Sequence, residues 1–209
     1  MPISTQTSGR DQSQFHPVCL SDLAALAHPT RLAARLDPAL SAATLVQLQK
    51  RPRLQLRLAQ LLLDDKTHSN GSGLEPDLLG GHDPRRAALL AGSIWHARSL
   101  LKLVSKHDLT ALIEHIGADV HAFGVRHLAH AIASSLIADP EALARHIEHD
   151  GHACLGAWLN SSPALQRSRV LLRLPVGTAA ENPAPEHSKA SGQLLSLVVA
   201  HFETENPAI

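Results

Sequence analysis

The stretch DPRRAALLAGSIWHARSLLKLVSK, residues 83–106, decides how the rest of the chain is read. Asp83 is a good N-cap, and Pro84 falls at the first helical position, where a missing N–H costs nothing. Leu90, Ile94, Ala97, Leu101 and Val104 then recur at steps of four and three, with Leu89, Leu100 and Leu103 widening the stripe on one flank. The spacing predicts one long amphipathic helix. At about 1.5 Å per residue it spans roughly 35 Å, enough to cross a small domain with shorter helices packed around it.

Composition agrees with a helical chain. Hydrophobic residues make up 44% of the 209 positions, Leu and Ala dominate, and β-branched residues are few. Nineteen basic side chains balance nineteen acidic ones, so no global field draws the chain to nucleic acid or an anionic membrane. Aromatic content is 2% with no Tyr, which removes the stacking platforms of single-strand binders. Cys19 and Cys154 lack a C-x-x-C partner and read as reduced thiols. The polar opening residues contain no apolar signal core, and no run reaches the roughly 18 apolar residues of a membrane span. A cytoplasmic location is expected, and the N-S-S acceptor at Asn160 should stay unglycosylated.

Outward from residues 83–106, a disordered polar tail is expected over 1–17 and a helical domain over 18–209. That domain divides into N-terminal helices (18–65), a glycine-rich flexible loop (66–82) and a main helical body (83–209). Helices are expected from Ser21, from Thr30, from the Asp37-Pro38 pair to Gln49, and over 53–63. Beyond the long helix, Asp108 should start a helix ended by Gly117, and helix should continue over 119–137. Asp139-Pro140 should start another, stopped at Gly151. A separate helix over 152–160 carries Trp158 as a core anchor, QRSRVLLRL (166–174) reads as strand or short helix, and an amphipathic helix closes the chain over 188–203. The fold class is mainly α: a single irregular multi-helix domain around one long central helix, with at most one short strand pair.

Fifteen histidines invite a metal or catalytic reading. His146, His149 and His152 with Cys154 form the densest group, yet the spacing is not H-E-x-x-H. Polar surface histidines are the simpler account. His127 and His130 have no carboxylate close in sequence. Ser93 and His96 share a helix face without a G-x-S-x-G elbow, and GSG at 71–73 lacks the lysine of a phosphate loop. No catalytic, cofactor-binding or metal role is assigned, and the chain is read as not an enzyme. Arg98, Lys102 and Lys106 recur every four residues as a basic stripe, either a solvated face or a docking surface for an acidic partner. Lys50, Arg51, Arg53 and Arg57 form a second basic cluster.

A Trp-bearing helix, GAWL at 156–159, followed by RVLLRLP at 169–175, resembles the SctK family of bacterial type III secretion systems, especially its counterpart in plant-associated Hrp systems. The resemblance implies a non-enzymatic adaptor of the cytoplasmic sorting platform, joining SctQ-type pods to the SctD-type inner-membrane ring protein, in an assembly that includes SctL and the ATPase SctN. It implies no cofactor. Reversing Arg98, Lys102 and Lys106 to Glu should then abolish capture of a partner with helicity intact. The competing readings are a His-rich metal-binding protein or hydrolase, for which elemental analysis of untagged protein discriminates, and a secretion chaperone or regulator.

Overall fold

Proline and the cap before it set most helix starts in the computed structural model, which describes residues 20–63 and 77–205. The helices are α1 (Leu20–Leu26), α2 (Pro29–Arg35), α3 (Ala42–Gln49), α4 (Pro52–Leu62), α5 (Pro84–Trp95), α6 (Ala97–Leu100), α7 (Lys106–Ile116), α8 (Ala118–Arg126), α9 (Pro140–Leu159), α10 (Ala164–Leu172) and α11 (Pro185–Glu205). No strand occurs among the described residues, and of the stretch 166–174 all but the last two residues lie in α10. Asp83 and Asp139 accept backbone N–H groups of the first turns of α5 and α9, as their sequence context predicts. The expected tail at 1–17 and most of the expected loop at 66–82 lie outside the described residues.

Four expectations fail, each for a physical reason. Asp37-Pro38 begins a turn, not a helix: the Asp37 carboxylate takes the Ala39 N–H, and α3 waits for Ser41, whose hydroxyl accepts the Thr44 N–H. The 24-residue helix over 83–106 breaks at His96 (φ −98°, ψ 18°). There the Trp95 carbonyl accepts N–H groups from Ile132 (3.2 Å) and Ala133 (3.0 Å), the Ser99 hydroxyl accepts from Ile137, and the His96 ring is bonded to Asp150. The Trp95 carbonyl thus takes tertiary donors in place of the Ser99 N–H, which turns to the His96 carbonyl, and the helix resumes only as the single turn α6. The helix expected over 119–137 ends at Arg126; a short 3-10 turn, Leu128–His130, leads into non-helical chain that delivers those N–H groups.

The fourth correction is the largest. Gly151 does not stop a helix; α9 runs through it for 20 residues. A Cβ at Gly151 would lie 2.0 Å from the Ala88 carbonyl oxygen, and one at Gly92 would lie 1.9 Å from that of Ile147. The two glycines let the backbones of α5 and α9 touch where the helices cross. This pair, rather than a single long helix, organises the main core. Leu90, Ile94, Leu112, Leu143, Ile147, Leu155, Leu159, Leu194 and Val198 are fully buried around it. Trp158 packs against this cluster only partly buried, whereas Trp95 is buried.

A second cluster gathers Leu23, Leu32, Leu45, Leu58 and Leu62 from α1–α4, with Leu172 of α10 among them. RVLLRLP is therefore the seam between the clusters. Val170 and Leu174 point into the main core and Leu172 into the other. The Leu172 carbonyl accepts the His28 N–H at 2.8 Å, and Arg31 donates to the Leu174 and Pro175 carbonyls at 3.0 Å each while pairing with Glu181 at 2.6 Å. Arg173 reaches the other way, to Asp77 and to the Gly81 and His82 carbonyls. Elsewhere Arg86 ties α5 to Asp119 of α8 and Glu205 of α11, with its guanidinium over the Phe202 ring.

Candidate functional site

Two kinds of feature stand out: a histidine-carboxylate cluster at the α5–α6 break, and exposed apolar side chains beside basic ones. Asp150 of α9 is the centre of the first. Its Oδ2 lies 2.7 Å from His96 Nε2, and its Oδ1 lies 3.0 Å from His149 Nδ1 and 3.4 Å from His187 Nε2. His187, from α11, is buried and stacks on Trp95 at 4.7 Å between centroids. Burial pushes the Asp150 carboxyl up, but the hydrogen bonds from His96 and His149 and the field of His96 and His187 outweigh it. The group is held well below the usual carboxylate range. Three elements thus converge on one ionised carboxylate.

The sequence group at 146–154 divides in two. His146 and His149 lie on the side of α9 that carries Asp150. His152, six positions from His146, turns inward because that spacing crosses the helix. Its Nδ1 bonds the Glu148 carbonyl oxygen, and burial lowers its pKa. Cys154 is buried too, its thiol pushed up to about 12 by burial. In a Cys19→Ser chain, Cys154 should resist a thiol reagent at pH 8 and react only as fast as the protein unfolds. Prompt labelling of native protein would contradict that burial.

Neither pair of chemical residues noted elsewhere forms a reactive site. Ser93 Oγ donates to the Leu90 carbonyl, and His96 turns to Asp150 instead of to it. His127 packs on the Phe123 ring, and His130 Nδ1 meets the Gln193 amide at 3.0 Å.

The basic stripe needs correction. Arg98 lies on α6, Lys102 in the following turn and Lys106 at the start of α7, so the break prevents a continuous helical row. All three remain exposed. Between them lie two residues that periodicity assigned to the buried face: Leu101 is 48% and Val104 92% exposed. The non-helical stretch held to α6 by the Ile137–Ser99 bond carries another exposed apolar side chain, Leu136. On α4, Leu54 (39% exposed) and Leu61 (41%) lie seven positions apart on one face with exposed Arg57 between them, while Leu56 (55%) stands on the opposite side among exposed Arg53 and Gln60. Periodicity missed the first face because it presumed an unbroken helix. Leucine at 54, 56, 58, 61 and 62 is more than one helix face can bury, and that was the signal for the second.

No protein-family model and no solved structure matches the chain. Two curated relatives do, both called "Nodulation protein NolU". One, from Sinorhizobium fredii (strain NBRC 101917 / NGR234), is 72% identical over 208 residues, covering 99% of this chain and 98% of the relative. The other, from Rhizobium fredii, is 71% identical over 208 residues with the same coverage. At that identity along nearly the whole of both chains, this chain belongs to the NolU family of nodulation proteins.

Proposed function

We propose that the protein is a non-enzymatic cytoplasmic adaptor of a bacterial type III secretion apparatus, joining a SctQ-type pod protein to the cytoplasmic domain of a SctD-type inner-membrane ring protein. The RVLLRLP resemblance supplies the apparatus, and a family named for nodulation suits the plant-associated branch of that resemblance. The observation that carries the reading is the pair of exposed faces, Leu101 with Val104 and Leu54 with Leu61. They project from different hydrophobic clusters, one formed around α5 and α9 and one by α1–α4. Each sets large apolar side chains among lysines or arginines, the chemistry that takes an apolar segment rimmed by acidic residues. Two neighbours can then be held at once.

The reading also fits the polar residues. Ser93 is engaged with a backbone carbonyl and the Cys154 thiol stays protonated, so neither is an activated nucleophile. No described helix is long and apolar enough to cross a membrane, so attachment to the inner membrane runs through the ring protein.

Pull-downs with the two partners test the reading. Leu101→Asp with Val104→Asp should weaken capture of one partner at least tenfold and leave the other unchanged; Leu54→Asp with Leu61→Asp should do the converse. Helicity should not change, since all four side chains are substantially exposed. Full capture of both partners by both double variants would refute the faces as interfaces.

A further inference from the structure

The cluster around Asp150 has a property that a simple ion pair does not need. His96, His146 and Asp150 each present one ligand atom, and the three atoms lie within 4.8 Å of one another. His96 comes from the α5–α6 break, while His146 and Asp150 are one turn apart on α9, a spacing that places both on one helix face. The His96 and His146 ring centroids are 5.9 Å apart, tilted by 57°. We propose that His96, His146 and Asp150 bind a divalent transition-metal ion of the zinc class, clamping the α5–α6 elbow to α9.

The donor set selects the ion. Two imidazole nitrogens and one carboxylate oxygen suit zinc, cobalt or nickel, whereas calcium and magnesium favour all-oxygen shells. Tetrahedral bonds of roughly 2.0–2.2 Å place ligand atoms about 3.4 Å apart. His96 Nε2 and Asp150 Oδ2, now 2.7 Å apart, need only a modest widening. His146 is exposed and free of core packing, so it can close in from the surface. Part of an outer shell is in place: the other Asp150 oxygen is hydrogen-bonded to His149 at 3.0 Å, the kind of partner that orients a ligating carboxylate, and His187 Nε2 stands 3.4 Å away.

A fourth position faces solvent on the His146 side, open to water or to a donor from a bound neighbour. The ion's role here is structural. It ties the α5–α6 break, through His96, to α9, through His146 and Asp150. With one ligand on the surface the ion exchanges, so protein purified in chelator loses it. Binding at this site is independent of the docking faces: its failure would leave the adaptor reading untouched, and its success makes bound zinc compatible with that reading, so partner capture and not metal content then separates an adaptor from a hydrolase.

The test uses the full chain without a histidine tag, stripped with chelator and titrated with Zn²⁺ by calorimetry and with Co²⁺ by visible absorption. One equivalent of Zn²⁺ should bind, and Co²⁺ should give the intense absorption bands of a tetrahedral site. His146→Ala, an exposed change that spares the fold, should weaken Zn²⁺ at least tenfold and remove the tetrahedral bands. His107→Ala, at an almost fully exposed side chain on α7, should alter neither. The proposal is overturned if wild-type protein gives no tetrahedral cobalt spectrum, if His146→Ala binds like wild type, or if His107→Ala loses as much affinity as His146→Ala.

Discussion

Gly151→Ala is expected to cost about 3 kcal/mol or more, at or beyond the top of the overpacking range, and to lower the melting temperature by about 10 °C. The added methyl would sit 2.0 Å from the Ala88 carbonyl oxygen and 3.1 Å from the Gly92 amide nitrogen, and backbone atoms do not yield as a side chain's end would. Relief requires α5 and α9 to separate, which loosens Leu90, Ile94, Ile147 and Leu155 together. Gly92→Ala should behave alike, since its Cβ would meet the Ile147 carbonyl oxygen at 1.9 Å. Gly192→Ala is the internal control. It lies in α11 with nothing within 4 Å of the new Cβ, so alanine should stabilise the protein by roughly 0.5–1 kcal/mol. Thermal melts followed by circular dichroism measure all three; equal effects at 151 and 192 would mean that α5 and α9 do not cross in contact.

The second large effect belongs to the seam. Arg31→Met keeps the apolar stem of the side chain but removes the donors to the Leu174 and Pro175 carbonyls and the ion pair with Glu181. Hydrogen bonds to a charged donor in this partly buried setting put the loss at about 2–3 kcal/mol. The weakening should be local, because Arg31 contributes nothing to the α5–α9 crossing. Hydrogen exchange should therefore accelerate by roughly 30- to 150-fold in α1–α4 while amides of α5 and α9 keep their protection. Uniform acceleration along the chain would show that the two clusters unfold as one unit and that the seam has no separate stability.

Local chemistry was legible in the sequence; long-range competition was not. Asp83-Pro84 and Asp139-Pro140 announced α5 and α9 because a cap and its proline act within one turn. The same pair at Asp37-Pro38 closed a turn, since Ser41 offered a cap followed by good helix formers. Gly151 misled because a glycine inside a periodic run has two meanings, a stop or a point of contact, and only the partner helix distinguishes them. His96 gave no warning of a break, as its cause lies in Asp150 and in the N–H groups of Ile132 and Ala133, distant in sequence.

The candidate sites divide along the same line. His146 and His149 were visible as a pair on one helix face, but His96 and His187 join Asp150 from other elements. Leu101 and Val104 carried the periodicity of core residues until the break turned them outward. RVLLRLP stood out as a motif, yet its task, holding one hydrophobic cluster against another, could be read only once His28 and Arg31 were placed beside it.

The central claim is that this chain works by being held at two faces simultaneously. Light scattering after size exclusion, on the chain mixed with a SctQ-type pod protein and the cytoplasmic domain of a SctD-type ring protein, tests it most directly. The account predicts one peak containing all three chains, and no association of pod and ring proteins when this chain is omitted. Two separate binary peaks, with one partner displacing the other, would show a single shared face and contradict it.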